Sequence, residues 1–162
     1  MFKILCFALI CASPLLAGSP FEETYAGKWR GVGIQSDGYD WDMQIALGPT
    51  MGEVRYPSLR CGGVWRYSTV TALGLSGIES ITYGLENCIE TGSIFLQPDG
   101  ENQLIFMWCG EEDGVTAVAL LVRGGSFEPE YERLRAASQA TLDEIENGLE
   151  NISCRGSQWF GV

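Results

Sequence analysis

The 162-residue chain contains no histidine. That removes Ser-His-Asp and Cys-His nucleophile arrangements and histidine-based metal catalysis. What remains for acid–base chemistry is carboxylate. Asp40 and Asp42 stand two apart in an alternating run with Asp37 just before them, and Glu111, Glu112 and Asp113 form a second cluster. Two carboxylates brought together can share general acid and base roles, or hold calcium through oxygen ligands. Neither cluster has the spacing of a calcium loop. Both read more simply as a solvated strand face and a polar loop tip. No residue is assigned a catalytic or metal-binding role, no cofactor is expected, and the chain reads as a non-enzyme.

The second reactive group is thiol. Cys6 and Cys11 lie in the N-terminal segment, leaving Cys61, Cys88, Cys109 and Cys154 in the body of the chain. Met1 to Lys3 forms a short, singly positive start, and 4–16 is an apolar run of signal-peptide length ending at the small residue Ala17. The run is short for a bilayer span, which takes about 20 apolar residues. Neither early cysteine follows a lipoprotein-type triplet. The expectation is a leader over 1–17, export to the periplasm or medium, and no stable membrane insertion once the leader is removed. In that compartment four cysteines form two disulfides, with three connectivities open. Zinc is disfavoured because no C-x-x-C pair and no histidine is present.

The net charge is −11, and −12 once Lys3 leaves with the leader. Nucleic acid is excluded as a partner, since binding it needs clustered Lys and Arg to displace counterions. Anionic membrane surfaces are disfavoured for the same reason. A cationic partner is compatible with this charge, as is plain solubility.

The elements that must position these groups are short and Gly-punctuated. In 39–47, Tyr39, Trp41, Met43, Ile45 and Leu47 alternate with Asp40, Asp42, Gln44 and Ala46, a period of two that turns one face inward. Ser36-Asp37-Gly38 joins this run to 27–35 as a hairpin signal. Further strands are read at 53–56, 63–72, 78–83, 92–96, 103–109 and 115–123, with Gly- or Pro-bearing turns between them. Eight strands in series predict an all-β, antiparallel up-and-down barrel over 18–125, with a sandwich as the second choice. The strands look short, which favours a barrel filled by its own side chains. Over 126–162 the period becomes helical. Pro129 stands at the first turn among Glu128, Glu130 and Glu132. Tyr131, Leu134, Ser138, Leu142, Ile145, Leu149 and Ile152 then form a narrow apolar stripe. The reading is one amphipathic C-terminal helix, extending to about Asn151, that packs with its tail on the barrel wall. A serine in the stripe makes it a weak coiled-coil seam, so the chain is expected to be a monomer. This strand plan is compatible with pairing Cys61 to Cys88 and Cys109 to Cys154.

Trp29, Trp41, Trp65, Trp108, Tyr39, Tyr67 and Phe106 sit in strands and read as core. Trp159 and Phe160, beyond the helix, read as exposed aromatics that dock under it or meet a partner. Pro57, Ser58, Leu59 and Arg60 form a loop ahead of Cys61 and are the candidate partner-contact surface, because loops on rigid barrels carry recognition. Gly62 and Gly63 read as serving backbone geometry, through positive φ or close strand approach.

The stretch Tyr56-Pro57-Ser58-Leu59-Arg60-Cys61-Gly62-Gly63 has the form Y-P-x-L-x-C-G-G. It is followed by Glu79 to Gly84, Cys88, Ile94-Phe95-Leu96 with Asp99-Gly100, and 104–108. This order resembles a small extracytoplasmic domain found in some bacterial receptor-type serine/threonine kinases and in stand-alone secreted proteins. The likeness spans about 27–108, implies a small exported β domain with Cys61 bonded to Cys88, and implies no particular ligand. Gly27-Lys28-Trp29 is also similar to the G-x-W opening of lipocalins, whose layout is eight strands and a helix. Together these readings predict a non-catalytic, exported binding or interaction module, meeting an unknown protein or glycan of the bacterial envelope. The alternatives are a lipocalin-like carrier of a small apolar ligand and an inhibitor of a secreted cationic hydrolase.

Overall fold

The computed structural model describes residues 19–110, 116–124 and 130–148. A single-turn helix α1 (Pro20–Thr24) leads into eight strands: β1 (Gly27–Gln35), β2 (Asp40–Leu47), β3 (Met51–Tyr56), β4 (Cys61–Val70), β5 (Leu75–Tyr83), β6 (Thr91–Pro98), β7 (Gln103–Gly110) and β8 (Thr116–Arg123). Helix α2 (Tyr131–Gly148) follows. Each strand pairs antiparallel with the next, and β8 returns to pair with β1 from Trp29↔Arg123 to Gln35↔Ala117, closing the barrel. Closure leaves no unpaired edge to template association. The expected up-and-down barrel with a C-terminal helix is the fold observed.

Local sequence explains the strands. In β2 and β3 buried and solvent-facing residues alternate, as a half-buried sheet requires. The β1–β2 hairpin turns at Gly38, whose φ of +86° suits glycine, while Asp37 accepts a hydrogen bond from the Tyr39 amide at 3.0 Å. In β1, β7 and β8 alternation gives way to continuous burial because α2 covers their outer face. Leu134 packs on Val32, Leu120 and Val122, and Leu142 on Ile34, Phe95, Met107 and Val118. The serine of the helical stripe is fully buried there. Its hydroxyl donates to the Val32 carbonyl and accepts from the Leu120 amide, both at 2.8 Å, at a register pair of the β1–β8 seam.

Several boundaries differ from the sequence reading. β5 begins at Leu75 rather than 78, β3 at Met51 rather than 53, and β6 runs from Thr91 through Pro98. Pro98 ends a strand, where its missing N–H removes no bond from the ladder interior. Tyr39 leaves the inward face, standing exposed in the hairpin turn. Apart from the six-residue β3, the strands are eight to ten residues long. The barrel is accordingly filled only in part, as described below. The leader at 1–17, Pro129, the helix beyond Gly148, Cys154, Trp159 and Phe160 lie outside the described residues.

Candidate functional site

One end of the barrel is shut. α1 lies across it with its N-terminus capped by Ser19, and Phe21 and Tyr25 enter the core. The Tyr25 hydroxyl donates to the Thr71 carbonyl at 3.0 Å, and burial pushes that phenol up to about 12. The Trp29 indole donates to the Tyr25 carbonyl at 2.7 Å, and the Arg123 guanidinium sits 4.2 Å above the Trp29 ring. The same guanidinium donates to the carbonyls of Ala26 and Thr24, tying α1 to β8.

The other end is open. A cavity of about 260 Å³ enters there, walled by Trp41, Tyr56, Phe106 and Trp108, with Tyr39, Leu59 and Ile89 at its rim. Behind this wall Phe106 lies flat against Trp65, rings 3° apart with centroids 5.3 Å apart. Glu79 reaches into the cavity from β5, only 3% exposed. Its Oε1 accepts from the Tyr56 hydroxyl at 2.6 Å and the Trp65 indole at 2.8 Å. Burial raises the Glu79 carboxyl above its usual 4.5, against the lowering effect of Tyr56, Trp65 and Trp108. Burial and the neighbouring Glu79 also keep the Tyr56 phenol protonated well above the ordinary tyrosine range. The Trp108 indole acts on the carboxylate without meeting the geometry of a hydrogen bond. It and the Trp41 indole are buried N–H groups with no acceptor among the described residues.

Glycine makes room for these two rings. A Cβ on Gly33, the cross-strand partner of Trp41, would stand 2.5 Å from the Trp41 ring, and Gly92 is packed at least as closely against Trp108. At Gly63 a Cβ would stand 2.7 Å from the Ile81 Cα, the close strand approach expected of the Gly62-Gly63 pair, at a register shift between β4 and β5.

Pro57, Ser58, Leu59 and Arg60 form the β3–β4 turn at this open end. Leu59 lines the cavity, while Pro57, Ser58 and Arg60 are exposed. Arg60 holds a φ of +58°, and the turn closes with the Arg60 amide donating to the Pro57 carbonyl at 3.2 Å. Asp42 anchors it, accepting from the Ser58 amide at 2.7 Å. The Cys61–Cys88 disulfide is present and ties the turn to the β5–β6 loop, so Cys88 also borders the cavity. Cys109 is disulfide-bonded as well; the reading that pairs it with Cys154 falls outside the described residues.

The carboxylates singled out in the sequence do not assemble. Asp40 pairs with Arg135 and accepts from the Tyr131 hydroxyl on α2. Asp42 serves the 57–60 turn, and Glu111, Glu112 and Asp113 lie outside the described residues. Among the described residues no group of three or more Cys, Asp and Glu is placed to hold a metal ion. Sequence reasoning passed over Glu79. Its signal was in register: Leu75, Gly77, Glu79 and Ile81 share one phase of β5, and all four are buried.

A second concavity lies on the outer wall of β1 to β3, bordered by Lys28, Arg30, Gln44, Glu53 and Arg55. It contains no buried polar group without a partner among the described residues. Among those residues no helix is long and apolar enough to cross a membrane.

No protein-family model matches the chain, and no curated protein matches it. Among solved structures, a redesigned beta barrel superposes with a TM-score of 0.48 at 18% identity, covering 62% of this chain and 91% of that one.

Proposed function

We propose that this chain is an exported, non-catalytic binding module that takes a small molecule into the open end of its barrel. The observation carrying this reading is a cavity of about 260 Å³ walled by Trp41, Tyr56, Phe106 and Trp108, which the buried Glu79 carboxyl enters. Scaled from the ~150 Å³ cavity that takes benzene, this volume suits a ligand of about ten non-hydrogen atoms. Among the described residues the lining holds one carboxyl and, beside it, only the phenols of Tyr56 and Tyr39, which supports binding rather than turnover. The disulfide supports an oxidising, extracytoplasmic location. The layout of G-x-W opening, eight strands and helix supports the lipocalin-like carrier reading over the envelope-protein or glycan module.

Native mass spectrometry of the chain purified from an oxidising periplasm tests this. The expected result is an excess mass of a small organic ligand, lost on denaturation. A bare chain that also fails to bind any member of a small aromatic library by tryptophan fluorescence would sink the reading. The exposed loop of Pro57, Ser58 and Arg60, pinned by Asp42 and Cys61, supports a second reading as a protein-contact surface beside the cavity.

A further inference from the structure

We infer that the ligand is a compact organic cation: a protonated amine whose ammonium pairs with Glu79 against the aromatic walls of the cavity. This rests on the small-molecule reading of the cavity.

Three observations fix the sign of the charge. Among the described residues Glu79 has no cationic partner: both of its hydrogen bonds come from neutral donors and converge on Oε1. Among the described residues no lysine or arginine lines the cavity, so an anion would enter without a counter-charge from them, into a chain of net charge −11. The described ion pairs all lie outside the barrel, on Arg30, Arg133 and Arg135, and Arg60 stands exposed on the rim loop without lining the cavity. The walls supply the second element of cation recognition, because Trp41, Tyr56, Phe106 and Trp108 turn aromatic surface to the space that Glu79 enters. A carboxylate inside an aromatic box suits an ammonium.

The charge balance is simple. Where Glu79 is protonated, the ammonium enters as R–NH₃⁺, the carboxyl releases its proton to solvent, and an uncharged pair of opposite ions remains in the cavity. Among the described residues the other ionisable side chains facing this space are the phenols of Tyr56 and Tyr39. Cys88 is held in its disulfide, and no side chain that β1, β2, β6, β7 or β8 contributes to the lining ionises. The proton released is therefore that of Glu79.

Three probes share one skeleton and differ in charge: tyramine (cation), tyrosol (neutral) and 4-hydroxyphenylacetate (anion). They are titrated into the full disulfide-bonded chain, followed by tryptophan fluorescence and calorimetry. Tyramine is expected to bind at least about tenfold tighter than tyrosol at pH 8, with no binding of the anion. Its affinity should fall by roughly tenfold per pH unit once Glu79 protonates in the free chain. In Glu79→Gln that pH dependence and the preference for tyramine should both vanish. The wild-type chain provides an independent readout should that variant misfold: the Glu79 carboxyl ¹³C resonance should move to its ionised position when tyramine is added at fixed pH below the Glu79 pKa. Tyrosol or 4-hydroxyphenylacetate binding as tightly as tyramine, or tyramine bound with the Glu79 resonance unmoved, overturns the cation and leaves the cavity reading standing. Silence from all three probes overturns the cation, and joined to a bare native mass and a silent aromatic library it overturns the cavity reading as well.

Discussion

Tryptophan guards both ends of this barrel under opposite conditions. At the closed end Trp29 lies beneath Arg123 and donates its N–H to the Tyr25 carbonyl. At the open end Trp41 and Trp108 rest on glycine, and their N–H groups meet no acceptor among the described residues. One side chain thus serves two ends. Where the chain folds back on itself, as α1 does, it supplies the acceptor and the indole becomes a stopper. Where it does not, the same indole keeps an unspent donor. The buried phenols divide in the same way: Tyr25 reaches a backbone carbonyl, while Tyr56 is committed to the one buried carboxyl. Stability is concentrated at one end and polar capacity at the other.

The comparison breaks if the two ends respond alike to substitution. The largest effect is expected at the closed end, where Trp29→Ala removes ring packing, the indole hydrogen bond and the cation–π contact together. It should cost about 3–5 kcal/mol in urea unfolding and detach α1. A loss below about 1 kcal/mol would mean that α1 is not the stopper described.

Replacing Cys61 and Cys88 together by serine comes next. The bond spans a sequence separation of 27 and is worth about 3.5 kcal/mol in the chain-entropy model. Because it joins two loops of the open end, hydrogen exchange should rise at Leu59 and Ile89 while Trp29 and Arg123 keep their protection. Uniform loosening of both ends would erase the distinction.

The pH response sharpens the contrast further. Glu79 has a folded pKa raised above its usual 4.5, so the folded chain holds its proton more tightly than the unfolded chain. Its favourable contribution is complete below pH 4.5 and is lost as pH rises through the folded pKa, at up to about 1.4 kcal/mol per pH unit. Subtracting the Glu79→Gln stability profile from that of the wild type should isolate this downward slope. A flat difference would place Glu79 in water rather than in the wall.

The smallest change is expected from Trp108→Phe. It removes a ring edge but also a buried donor without an acceptor, so the two terms offset to within about 1 kcal/mol. Near-UV circular dichroism would verify the packing and urea unfolding the stability. A loss comparable to that of Trp29→Ala would show that the Trp108 N–H is already bonded in the free protein.

Much of this fold was readable in residue order. Alternation through β2 and the Asp37-Gly38 turn placed the first hairpin, and the 3.6-residue stripe placed α2. The cavity was not readable, because it depends on which rings meet across the barrel. Trp41 lies over Gly33 through strand register, and Trp108 over Gly92 on a neighbouring strand, and neither contact is a local property of sequence. Glu79 was legible in principle, as a carboxyl on the apolar phase of β5. It was passed over because Asp40 and Asp42 drew the eye as a pair, and these turned out to serve α2 and the 57–60 turn. Ser138 looked like a flaw in a helical seam for the same local reason, whereas its partners are on β1 and β8.

That serine bears on the order in which the chain assembles. Its hydroxyl bridges the Val32 carbonyl and the Leu120 amide, so the joint between first and last strands is completed by a residue from the helix that follows both. The hoop and its clasp are made together. Long-range closure of β1 on β8 is already the slowest kind of contact to form, and here it waits on a segment synthesised later still. An emerging chain would therefore carry an unfastened seam until α2 arrives, and folding of the cylinder is a C-terminal event.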